Sequence, residues 1–123
     1  MTILVAEDEP FMLMVIVEQL KSDGFEVVSA VDGREALKAL ETKRPDLIIT
    51  DILMPYTSGL ELIGIVKSNS AYNIPIIVLS GLDEENTVME AFQLGADDFL
   101  TKPFNSMELS VRVKRLMKLY GVR

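Results

Sequence analysis

Four short apolar runs in this 123-residue chain each end in a side chain that phosphoryl chemistry can use. After "ILVA" come Glu7, Asp8 and Glu9; after "LIIT" comes Asp51; after "PIIVL" come Ser80 and Gly81; after "DFLT" comes Lys102, followed by Pro103. Carboxylates gathered at one rim raise one another's pKa unless a cation neutralises them, and a hard divalent ion with oxygen ligands suits that role. Mg²⁺ takes one or two carboxylates, waters and a phosphoryl oxygen, which fits Asp8 and Asp51 as direct ligands with Glu7 reached through water. Asp51 then becomes a carboxylate nucleophile toward a phosphoryl group. Lys102 supplies a point charge for one phosphoryl oxygen, and the Ser80 hydroxyl a hydrogen bond for another. Taken singly, an acid after a strand is ordinarily a helix cap or a solvated charge. Here four strand ends together carry what one reaction needs.

For these ends to meet, the elements must form one sheet. Apolar runs and turn signals alternate along the chain as five strands and five helices, and the strands are apolar at nearly every position. That pattern belongs to strands buried on both faces, so the expected architecture is a doubly wound α/β sandwich with a parallel sheet. In such sheets a ligand sits outside the carboxyl ends of the strands, where strand order reverses. Gly24 and Gly95 stand where helix C-terminal caps prefer glycine, and Asp32 and Ser106 read as N-caps.

Composition narrows the chemistry further. With no Cys and no His, thiolate chemistry, serine-type triads and phosphohistidine carriage are excluded, and most zinc sites with them. A net charge of −7 disfavours direct nucleic-acid binding, and no apolar run approaches the length of a membrane span, so the expected setting is cytoplasmic. The length and 49% hydrophobic content fit one domain over residues 1–123. Five of the twelve bases (Arg112, Lys114, Arg115, Lys118, Arg123) fall in the last twelve residues, either as a solvated helix or as a partner surface.

"ILVAEDEP", "PDLIITDILMP", "GLELI", "IPIIVLSG" and "GADDFLTKPF" together resemble the receiver domain of two-component response regulators across essentially the whole chain. The resemblance implies a flavodoxin-like (βα)5 fold with strand order 2-1-3-4-5, the order for which the family is a standard example. It implies that Asp51 is the phosphoacceptor, that Glu7 and Asp8 form the acidic pair, and that Leu53 offers Mg²⁺ its backbone carbonyl. Ser80 and Phe99 take the switch positions, and Lys102 the family's lysine, with a cis bond to Pro103. Glu7, Ser80, Gly81 and Phe99 stand where Asp, Thr, Ala and Tyr are frequent, but no required chemical group is lost.

The same resemblance implies a histidine kinase or phosphotransfer protein as donor, docking near the first helix, where Phe11 and Met14 fall opposite the core residues Met12, Ile16 and Leu20. It further implies an output domain or partner protein reading the fourth helix, fifth strand and fifth helix. In part it resembles regulators that dimerise there, with Asp98 and Arg112 placed for a cross-subunit pair, although Val88 stands where they carry a basic residue. Leu53 and Leu82 flank the path of a hydrolytic water and cannot position one, so slow self-dephosphorylation is expected. A phosphohydrolase would need an acid at position 53, and a nucleotide-binding relative a glycine-rich loop after the first strand. A pseudo-receiver that binds partners without phosphorylation is the remaining alternative, though Asp51, Lys102 and the acidic pair are all present.

Overall fold

The computed structural model describes residues 1–81 and 85–121, and Leu82 therefore lies outside the described residues. The strands are β1 (Thr2–Ala6), β2 (Glu26–Ala30), β3 (Leu47–Asp51), β4 (Ile76–Ser80) and β5 (Asp98–Thr101). The helices are α1 (Pro10–Ser22), α2 (Gly33–Lys43), α3 (Gly59–Ser68), α4 (Glu85–Leu94) and α5 (Ser106–Leu119). All pairings are parallel, in the order β2-β1-β3-β4-β5.

Side chains alternate across this sheet with the two-residue period of a strand. Leu4, Ile48, Ile76 and Val78 face a core closed by Ala36 and Leu40 of α2, Leu62, Ile63 and Val66 of α3, and Ala91 of α4. Ile3, Val5, Ile49, Ile77 and Leu79 face the opposite core, closed by Ile16 and Leu20 of α1 and by Leu109, Val113 and Leu116 of α5. Burial on both faces holds for β1, β3 and β4; β2 and β5 are the sheet edges and remain partly open to solvent. Ala91 is the one buried residue of α4, which makes this the most shallowly seated of the five helices. No helix among the described residues is long and apolar enough to cross a membrane.

Local chemistry explains where the helices begin. The Asp32 side chain accepts a hydrogen bond from the Glu35 N–H at 2.9 Å, and Ser58 caps α3 in the same way. For α5 the expectation of Ser106 as N-cap is corrected: Asn105 is the cap, with extended backbone and a 2.8 Å bond from the Glu108 N–H, and Ser106 is already the first helical residue. Gly24 and Gly95 have positive φ just past α1 and α4.

At the amino ends of the strands a polar staple ties α3, β4 and α5 together. Lys67 donates to Asp97 at 2.9 Å, to the Ile74 carbonyl at 3.0 Å and to the Tyr120 hydroxyl at 3.3 Å. Asp97 in turn accepts from the Tyr120 O–H at 2.6 Å and from the Ile76 N–H at 2.8 Å.

Candidate functional site

The strand register brings the chemistry-bearing ends level with one another. Ala6 pairs with Thr50, Asp51 with Leu79, and Ser80 with Thr101, so the residues after β1, β3, β4 and β5 emerge on a single rim. The Lys102 N–H donates to the Ser80 carbonyl at 2.7 Å, which fixes where its side chain starts. Its Nζ then reaches across the rim to Glu7 Oε1 at 2.8 Å, Glu7 Oε2 at 3.1 Å and Asp51 Oδ2 at 3.0 Å. Glu7 is fully buried and Asp51 nearly so, whereas Asp8 is exposed. Carboxylate oxygens of the three acids lie within 4.8 Å of one another. Ser80 is buried, and the Lys102–Pro103 bond is cis.

Three acids around one ammonium leave the rim short of positive charge. Burial pushes the Glu7 carboxyl up to about 7, and the repulsion of Asp51 adds to it against the hydrogen bond from Lys102. Burial alone would lower the Lys102 pKa, but the hydrogen bonds to Glu7 and Asp51 outweigh it and the ammonium is held above its usual range. Three carboxylates facing one ammonium leave oxygen donors that a further cation would share. All-oxygen donors, with Asp8 facing solvent, fit a hard divalent ion.

One acid sits apart from the others of the rim. Glu9, grouped by sequence with the acids of the rim, caps α1 by accepting from the Phe11 and Met12 N–H groups at 3.2 and 2.7 Å. The dipeptide Glu9-Pro10, with proline at the first helical position, carried that signal. Glu7 places both oxygens on Lys102 and stands inside the cluster. Leu53 lies two residues beyond Asp51 with its side chain exposed. Phe99 points outward and meets Phe92 of α4 edge to face, with ring centres 5.7 Å apart.

Phe11 and Met14 are exposed on α1, at 66% and 49%, while Ile16 and Leu20 are buried and Met12 packs against them. Asp98 and Arg112, expected as a cross-subunit pair, bond to each other within the chain, the Arg112 guanidinium donating to Asp98 at 2.7 Å. The second Asp98 oxygen is buried without a hydrogen-bond partner among the described residues. Val88 packs partly against the core beneath α4.

Comparison with known proteins agrees with this architecture. The family profile described as "Response regulator receiver domain" matches residues 3–114. The alkaline phosphatase synthesis transcriptional regulatory protein PhoP of Bacillus subtilis is 38% identical over 94% of this chain and 48% of its own length. The phosphate regulon transcriptional regulatory protein PhoB of Pseudomonas aeruginosa is 36% identical over 98% of this chain and 53% of its own. The chain thus spans about half the length of these curated relatives. Among solved structures, the Francisella response regulator 1452 receiver domain superposes with a TM-score of 0.86 at 38% identity, covering 95% of this chain and 96% of that one.

Proposed function

Given that this chain belongs to the response regulator receiver domain family, we propose that it is a phosphorylation-controlled switch with Asp51 as acceptor. One observation carries the reading: the Asp51 carboxylate lies 3.0 Å from the Lys102 ammonium, on a rim where acids outnumber cations. Asp51 attacks the phosphorus of a phosphohistidine on a histidine kinase or phosphotransfer protein; an O–P bond forms, the N–P bond breaks, and the imidazole leaves. Lys102 turns from Asp51 to a phosphoryl oxygen, and the Ser80 hydroxyl donates to another. Asp8, Asp51 and the Leu53 carbonyl would hold Mg²⁺, with Glu7 acting through water; when bound, the ion neutralises charge on the phosphoryl oxygens.

Drawing Ser80 toward the phosphoryl group frees space for Phe99 to turn inward, which reshapes the surface of α4, β5 and α5. That surface exposes Met89, Phe92, Met107 and Val111, as a face read by an output domain or partner protein would. A homodimer formed on phosphorylation would use the same face, including Asp98 and Arg112. The exposed Phe11 and Met14 receive the donor. The chain turns over no substrate, and dephosphorylates itself slowly.

Acetyl phosphate with Mg²⁺ should add the mass of one phosphoryl group to the peptide containing Asp51, and nothing in Asp51→Asn. Met14→Lys should slow transfer from a protein donor yet leave acetyl phosphate labelling unchanged. Ser80→Ala should accept the label but lose the gain in partner affinity. A wild-type chain that binds Mg²⁺ and takes no label would instead be a pseudo-receiver.

A further inference from the structure

The loop between β3 and α3, residues 52–58, starts at the acceptor and contains Leu53. It is fixed at three places. At its start the Ile52 N–H donates to the Leu79 carbonyl at 3.2 Å, and at its end the Gly59 N–H returns to the Ile52 carbonyl at 2.8 Å. Its middle leans on the first turn of α2, where the Gly33 N–H donates to the Pro55 carbonyl at 3.2 Å. Gly33 has no side chain because a Cβ there would overlap the Thr57 carbonyl.

Between these points Tyr56 has φ of +68°, a left-handed conformation that is costly for a residue with a Cβ. The Arg34 guanidinium, on the next residue of α2, lies over the Tyr56 ring at 3.6 Å from its centre. Both side chains are exposed. A cation–π contact at an exposed site is modest in strength, but here it spans the two elements that set the path of the loop.

We infer that Arg34 and Tyr56 are positioning residues that hold this loop, and with it the Leu53 carbonyl, in the shape the metal site requires. The inference rests on the receiver reading and assigns the pair no contact with metal or phosphoryl group. It separates cleanly from simple electrostatics. By charge alone, removing a cation from this acidic chain should leave Mg²⁺ binding unchanged or tighter; loosening the loop should weaken it.

The test is calorimetric titration of Mg²⁺ into the unphosphorylated chain, together with acetyl phosphate labelling rates at saturating Mg²⁺. Arg34→Gln and Tyr56→Leu should each weaken Mg²⁺ binding about two- to fivefold, the range of one exposed cation–π contact. The double variant should be no worse than either single one, since each removes the same contact. Tyr56→Phe, which keeps the aromatic face, should bind as wild type, and labelling rates at saturating Mg²⁺ should be unchanged throughout. Unchanged or tighter Mg²⁺ binding in Arg34→Gln overturns the inference, as does full additivity in the double variant. A wild-type chain that binds no Mg²⁺ overturns the receiver reading along with it.

Discussion

Both ends of the sheet carry a lysine bound to carboxylate, and the two differ in whether their charges balance. At the amino end, Lys67 faces one carboxylate, Asp97, and each of its three N–H groups meets an acceptor. Tyr120 completes that ring: burial raises its pKa, and its hydrogen bond to Asp97 raises it further, so the hydroxyl stays a donor. At the carboxyl end, Lys102 is shared between Glu7 and Asp51, with Asp8 beside them. The first arrangement is complete and holds α3 to α5. The second keeps two acids in excess of its cation, an imbalance that a bound divalent ion would offset.

Substituting each lysine by methionine gives the largest contrast. Lys67→Met leaves Asp97 without its cation and should cost about 3 kcal/mol in denaturant unfolding, with no recovery in Mg²⁺. Lys102→Met should also lose stability, and Mg²⁺ should restore it by neutralising the same acids. Equal responses to Mg²⁺ in the two variants would erase the distinction between the ends.

The pH dependence of Glu7 sharpens the comparison. Its carboxyl titrates near 7 when folded, against 4.5 ordinarily, so the folded chain holds an extra proton between those values. The stabilising contribution is therefore full below pH 4.5 and is lost as pH rises through about 7. In Mg²⁺-free buffer the wild type should fall relative to Glu7→Gln by up to roughly 3 kcal/mol over that window, followed by unfolding at several pH values. The smallest effect belongs to the staple: Tyr120→Phe removes one hydroxyl and should cost about 1 kcal/mol, with acetyl phosphate labelling of Asp51 unaltered.

The features legible in the sequence were those with a local signature. Runs such as Leu47–Ile49 and Ile76–Leu79 announced strands covered on both faces, and Asp32, three residues before Glu35, announced a helix start. The rim could be assembled because parallel strands send their carboxyl ends the same way, which puts Asp8, Asp51, Ser80 and Lys102 at one edge of the sheet. Competition between neighbours was harder to see. Asn105 and Ser106 are both good caps, and backbone angles decided between them. Glu9 could join the rim or cap α1, and two N–H groups of α1 claimed it. The partners of Lys67, at positions 97 and 120, and of Arg34, at position 56, left no trace because nothing in their spacing ties them together before the chain is folded.

The absent side chains at positions 33 and 59 bear on how freely the sequence can vary. A methyl group at Gly59 would overlap the Asp51 carbonyl oxygen, as one at Gly33 would overlap that of Thr57, whereas Gly64 has open space around it. Alanine, the mildest replacement, is thus harmless at 64 and disruptive at the other two. Tolerance to mutation in this chain is governed there by backbone-to-backbone clearance, at positions that carry no functional group of their own.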